Sequence, residues 1–268
     1  MPTGATYRGM LRKAEGRLDT GVCIQPPLER GGAPPGRCYR GWRSVRHALR
    51  RAYAGRVADR VITVHLGAPS VRPAEQRDVP RIAATLTLVQ ATSRWARWAL
   101  PEDGRVQRLT RLAELDAGHR AVSTGTCWVT EDVTAVAAWH APEEAPGTHP
   151  LPDDVRAALA TELPHVHGSR WDAVRRTREL VDAARPAGPH WWLASLGTRP
   201  SSRRHGYGTA LLQPALERCD ADGLPAAAAV STWAAVRFLR RLGFDVDQAM
   251  ESSDGALPLW LLVRLPSS

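Results

Sequence analysis

Residues 190–208, HWWLASLGTRPSSRRHGYG, constrain this 268-residue chain more than any other stretch. Trp191, Trp192, Leu193, Ala194 and Leu196 form an apolar run between Pro189 and Gly197. Such a run suits a buried strand, with Gly197 to Ser202 read as the break that ends it. Arg203-Arg204-His205-Gly206-Tyr207-Gly208 then leads into Thr209-Ala210-Leu211-Leu212, and Leu211, Leu212, Ala215, Leu216 and Cys219 follow helical spacing. A glycine-rich turn that opens a helix leaves backbone N–H groups unpaired at the positive end of the helix dipole. Two adjacent arginines strengthen that field, so the expected ligand is a phosphate.

The charge distribution narrows the function. Net charge is +9, but residues 1–60 hold 13 of the 36 basic and 4 of the 27 acidic residues, so the remainder is balanced. The basic segment includes Gly31-Gly32-Ala33-Pro34-Pro35-Gly36 and few large apolar residues. Residues 1–65 are therefore expected to be a poorly ordered extension preceding a domain over 66–268, with a polyanion-binding arm as the sharper alternative. No nucleic-acid partner is expected, because the body lacks a basic face with interleaved aromatics. No apolar run approaches the length of a membrane span, and the N-terminus lacks a secretory core. Cys23, Cys38, Cys127 and Cys219 are scattered without metal-ligand spacing and read as reduced thiols in a cytoplasmic protein. His165 and His167 lack a third ligand nearby, so no metal site is expected.

In chain order, a short basic helix is expected at 43–54 and a first strand at 61–66 or 70–72. Asp78 is a candidate N-cap, with Pro80 in the first turn of a helix marked by Val79, Ile82, Ala83, Leu86 and Val89 and running towards Trp95 and Trp98. A second helix carries Val106, Leu109, Leu112 and Ala113. Strands at 125–130 and 133–140 form a hairpin about Glu131-Asp132. Asp153-Asp154 are expected to cap a helix through Leu163, and residues 169–184 another, with Trp171, Val174, Leu180 and Val181 towards its buried side. An alanine-rich strand at 224–230, a short helix bearing Ala234, Ala235, Phe238, Leu239 and Leu242, a strand from Phe244 and a last strand at 257–265 complete the order.

A strand, an Arg-x-x-Gly-x-Gly turn, a helix, a strand, a short helix and Gly243-Phe244 follow one another in the order of the Gcn5-related N-acetyltransferase (GNAT) superfamily. The chain resembles that superfamily from about Ser70 to Pro266, best over Trp191–Val246. Val71-Arg72-Pro73, Ala135–Trp139, Trp192-Leu193-Ala194 and Phe238–Phe244 are similar to puromycin N-acetyltransferase relatives. The resemblance implies an α/β (α+β) fold, with a central mixed, mostly antiparallel twisted sheet and helices on both faces. It also implies acetyl-CoA as cofactor and direct transfer of acetyl to the amine of a small molecule, with aminonucleosides and other antibiotics as the acceptor class to consider, by a monomer or homodimer. Leu196 and Thr198, with Gly197 between them, fall where members pair main-chain groups with the pantetheine arm. Arg203, Arg204, His205, Gly206, Tyr207, Gly208 and Thr209 match the pyrophosphate loop. A Rossmann dinucleotide site is the competitor, but it lacks its third glycine and ribose-binding acid here.

The catalytic half of the family pattern departs. The positions of the family's usual tyrosine and asparagine, and of the acidic residue of the puromycin relatives, are Leu239, Ala235 and Ala229. Leu239 lies on an apolar helix stripe and reads as core; a tyrosine there would supply the missing acid. Ser231 and Thr232 are nearby hydroxyls better suited to capping, and Tyr207 sits in the phosphate loop. His140, at the end of a strand, is the first candidate for a general base, with Glu143 or Glu144 second. Trp128, Trp139, Trp171, Trp191 and Trp192 are core residues by default, some able to line an acceptor pocket. A catalytically weakened acyl-CoA-binding sensor or partner module stands as the alternative.

Overall fold

The computed structural model describes residues 69–142 and 145–267. The extension over 1–65, the helix at 43–54, the first-strand alternative at 61–66, Cys23, Cys38, Glu143 and Glu144 lie outside the described residues.

Seven strands form one sheet in the order β1-β2-β3-β4-β5-β7-β6. They are β1 (Val71–Pro73), β2 (Cys127–Thr130), β3 (Ala135–His140), β4 (Trp191–Thr198), β5 (Ala226–Val230), β6 (Asp245–Glu251) and β7 (Pro258–Arg264). Every neighbouring pair is antiparallel except β4 and β5. The longer helices are α1 (Val79–Gln90), α2 (Arg94–Ala99), α3 (Arg105–Ala113), α4 (Asp153–His167), α5 (Trp171–Ala184), α6 (Tyr207–Asp222) and α7 (Trp233–Arg240), and α3 continues into a π-helical segment, Glu114–Arg120, and a last short turn, Ala121–Ser123. This is the mixed, mostly antiparallel sheet with flanking helices that the sequence implies.

The alternation of β4 assigns its faces. Trp191 and Leu193 pack in a core with Leu211, Leu212, Ala215 and Leu216 of α6 and with Leu239 of α7. A Cβ at Gly197 would lie 2.9 Å from Leu86 Cδ2 of α1, so any larger residue would force Leu86 to move where α1 seats against the sheet. Strand β4 therefore does not end before Gly197, as the sequence suggests. It continues through Thr198, because Gly197 and Thr198 pair with Val136 and Ala135 of β3.

Other boundaries differ for identifiable reasons. Asp78 does not cap α1. Its carboxylate takes a bidentate bond from Arg72 (2.6 and 3.0 Å) and the Glu75 N–H, fixing the preceding 3-10 turn. The first helix stops at Gln90, and α2 starts afresh on Ser93, whose hydroxyl accepts from the Ala96 N–H. Val133 leaves the hairpin strand for the turn, at φ 51°; its side chain is fully buried and its carbonyl accepts from Thr85 Oγ1 at 2.6 Å. Asp153 and Asp154 occupy the first turn of α4 behind Pro152, and α4 runs on to His167. Leu180 and Val106 are exposed, because their helices turn other residues inward. Helices α2 to α5 share a second core with Trp192, Ala229, Met250, Leu257 and Leu259 at one end of the sheet.

Candidate active site

Strands β4 and β5 pair only at Trp191–Ala226 and Trp192–Ala227. Beyond Trp192 they part: β4 stays on β3, with Leu196 opposite Ala137, while β5 stays on β7 as far as Val230 opposite Trp260. At the point of parting β4 carries a bulge, since Leu193 faces Trp139 and Ser195 faces Ala138, leaving Ala194 unopposed. The Arg199 N–H bonds the Thr134 carbonyl at 2.9 Å. In an antiparallel ladder successive residues alternate direction, so Leu196 and Thr198 turn their main-chain groups away from β3, into the opening. The Thr198 carbonyl already accepts from Arg203 Nε at 3.2 Å, which leaves the Leu196 amide as the more available pairing edge.

The opening leads to the start of α6. Gly206 stands at the helix entrance with φ 82°, and Arg204 adopts φ 67°, a conformation costly for a side-chain-bearing residue. The first capture within the helix is Ala210 N–H to the Gly206 carbonyl. The N–H groups of Gly206, Tyr207, Gly208 and Thr209 therefore find no intrahelical acceptor, at the positive end of a 16-residue helix. Arg203, Arg204 and His205 are exposed beside them. A Cβ at Gly208 would lie 3.1 Å from Phe238 Cζ, so its glycine lets α7 close against α6. Of the positions named from sequence, Leu196 and Thr198 lie on the strand edge and Gly206 to Thr209 at the helix entrance, whereas Gly197 is buried and paired with Val136.

On the opposite face, His140 ends β3 beside Trp192. Its Nε2 lies 3.1 Å from Asp116 Oδ1, and Arg120 Nη1 lies 3.7 Å from the same oxygen. Burial opposes the Asp116 charge. The adjacent His140 and the guanidiniums of Arg120 and Arg178 nevertheless hold its carboxyl well below the usual carboxylate range. Asp116 comes from the π-helical segment, 24 residues from His140, and nothing in the sequence pattern marks it. π-helical turns recur at functional sites because the widened turn re-aims side chains.

The polar positions missing from sequence are also missing in space. Leu239 is 2% exposed inside the α6–β4 core, and Thr232 caps α7 by accepting from the Ala235 N–H. Ser231 is half-buried at the end of β5, across the opening from β4. His165 bonds the Thr161 carbonyl from an exposed site, whereas His167 is buried, bonds the Ala99 carbonyl at 2.9 Å and stacks on Trp171. Cys127 and Cys219 are buried free thiols, and burial pushes Cys219 up to about 12.

Comparison with known proteins agrees with this geometry. The profile of the acetyltransferase (GNAT) family matches residues 158–244, from within α4 to Phe244. The structure of a histone acetyltransferase and related acetyltransferase from Corynebacterium glutamicum is 25% identical, with a TM-score of 0.57, over 75% of this chain and 98% of that one. The polyamine N-acetyltransferase of Drosophila melanogaster, which forms N-acetylagmatine, shares the fold at 15% identity and a TM-score of 0.51, over 73% and 99%. The protein is thus an enzyme of the N-acetyltransferase class that uses acetyl-CoA. Its resemblance is to acetyltransferases of the GNAT superfamily. Among the described residues, no helix is long and apolar enough to cross a membrane.

Proposed function

We propose that this enzyme acetylates the primary amine of a small molecule directly, with donor and acceptor meeting at the Ala194 bulge from opposite faces of the sheet. The observation that carries the reading is the parting of β4 from β5 immediately before the unpaired N–H groups of α6. An extended amide-bearing arm would pair along Leu196 like an added strand. A diphosphate would dock on the N–H groups of residues 206–209, with Arg203 and Arg204 alongside. When bound, acetyl-CoA supplies the thioester acyl group.

The chain's own residues supply position and proton traffic. The amine is assigned to the end of β3, where His140 and Trp192 stand opposite one another. His140 takes the amine proton, with Asp116 orienting the imidazole and compensating the charge it gains. Ser231, at the end of β5, is the hydroxyl assigned to the departing sulfur. A thiolate is stable enough to leave with only weak acid assistance, which suits a site where Leu239 replaces the usual tyrosine. Holding the two reactants together provides much of the acceleration.

The acceptors to screen are small amines, including the aminonucleoside and antibiotic class that the sequence resemblance implies. Release of CoA thiol matched by N-acetylated product, lost in His140→Gln with acetyl-CoA affinity retained, supports the reading. Apolar residues at 239, 235 and 229 favour a second reading, an acyl-CoA-binding module with little turnover. Tight acetyl-CoA binding without product from any amine would select it.

A further inference from the structure

Where β4 leaves β5, it also reverses the facing of its side chains. Leu193 lies in the core beneath α6, and strict alternation would put Ser195 on that same face and Leu196 on the other. The unopposed Ala194 is an extra residue that inverts the order. Leu196 packs against the α6 core, and Ser195 stands opposite Ala138 on the face that meets α1. Gly197, next on that face, meets Leu86 of α1. His140 belongs to the same face, two residues beyond Ala138, which makes Ser195 its diagonal neighbour across the ladder. Such neighbours stand roughly 7 Å apart at Cβ.

The opening reaches both groups. Leu193 and Gly197 are buried, as are Val136 and Ala138 across the ladder, whereas Ala194, Ser195 and Leu196 are half-buried and the His140 side chain is 17% exposed. Ser195 Oγ makes no hydrogen bond among the described residues and is not sealed from solvent. The ionised Asp116 carboxylate only accepts, so His140 Nε2 donates to it and Nδ1 keeps its lone pair, likewise unsealed. A hydroxyl oxygen and an imidazole lone pair thus flank one gap, which a single amine nitrogen can bridge with two hydrogen bonds.

We propose that Ser195 positions the acceptor and makes the enzyme select primary over secondary amines, its hydroxyl accepting one N–H of the substrate while His140 Nδ1 accepts the other. The proposal rests on the acetyl-transfer reading with His140 as base. With both hydrogens held, the nitrogen lone pair is left for the acyl carbon. As the N–C bond forms and the C–S bond breaks to release thiolate, the hydrogen on Nδ1 passes to it as a proton. A secondary amine has one hydrogen and must forgo one of the two anchors.

The test is initial-rate kinetics on the full chain with matched acceptors: phenethylamine against N-methylphenethylamine, ethanolamine against N-methylethanolamine, and glycine against N-methylglycine. In each pair that turns over, the primary amine should have the higher kcat/KM by roughly tenfold or more. Ser195→Ala should lower that value roughly tenfold for the primary amine and leave the secondary amine nearly unchanged, so the preference collapses, with acetyl-CoA affinity and melting temperature retained. Ser195→Thr, which keeps the hydroxyl, should keep the preference, and thermal melts identify any variant that does not fold. Equal turnover of primary and secondary amines by the parent, or a preference unchanged in Ser195→Ala, would overturn the proposal and leave the acetyl-transfer reading intact. Acetyl-CoA binding without acetylation of any amine would overturn both.

Discussion

His140 Nε2 and Asp116 Oδ1 stand 3.1 Å apart, joining the end of β3 to the π-helical segment that follows α3. The pair sits where β4 takes leave of β5, and it is the polar arrangement from which proton removal at the amine is best argued. Among the described residues its carboxylate bonds no other imidazole, and Arg120 and Arg178 help to keep it ionised.

Replacement of His140 by Gln should lower kcat by roughly a hundredfold or more, the usual range for loss of a general base. Asp116→Asn should cost less, about tenfold, because the imidazole loses the carboxylate that orients it. Steady-state kinetics check both. Unchanged kcat in Asp116→Asn would remove the carboxylate from the mechanism.

Gly206→Asp should weaken acetyl-CoA binding by at least about tenfold, since it places a carboxylate among the N–H groups of residues 206–209. Gly206 also has φ 82°, so Gly206→Ala should cost about 1 kcal/mol in stability with a smaller loss of affinity. Calorimetric titration with acetyl-CoA separates the two effects. Equal affinity in Gly206→Asp and the parent would sink the pyrophosphate assignment.

Leu239→Tyr tests whether the site can be restored to the family pattern. Sequence alone suggests a gain from the added phenol. The side chain is instead enclosed by α6 and β4, so the larger tyrosine should destabilise the fold by about 1–3 kcal/mol and leave turnover no higher. A faster enzyme with an unaltered melting temperature would show that position 239 opens onto the reacting sulfur.

His167 makes stability depend on acid. Burial pushes its imidazole down to about 4, against bonding to the Ala99 carbonyl, and its Nε2 has no acceptor among the described residues. The unfolded chain binds that proton near pH 6.5, so the contribution is whole above about 6.5 and is lost as pH falls towards 4. Between pH 7.5 and 5 the parent should lose about 2 kcal/mol more than His167→Gln in denaturant titrations. Parallel losses would assign acid sensitivity elsewhere.

Much of the fold was legible because local signals agreed with the global arrangement. Leu211, Leu212, Ala215, Leu216 and Cys219 are all buried as their helical spacing demands. The alanines of β5, poor strand formers by propensity, were placed only by their neighbours, and Ala226 and Ala228 face the core shared with α6. Gly197 was misread as a breaker because its role is a close approach by Leu86, a contact between distant segments. Asp116 and Arg185 were invisible for the same reason. Only tertiary packing sets them beside His140 and Trp192. Asp78 looked like a cap until Arg72 claimed it.

The most direct test of acetyl transfer at the parted strands is a single-turnover experiment with isotopically labelled acetyl-CoA and a panel of small amines, read by mass spectrometry. The account predicts labelled N-acetyl product in step with CoA thiol, with product formation slowed about a hundredfold or more in His140→Gln while the cofactor remains bound. Thiol release without acetylated amine, or equal product from His140→Gln, would contradict it.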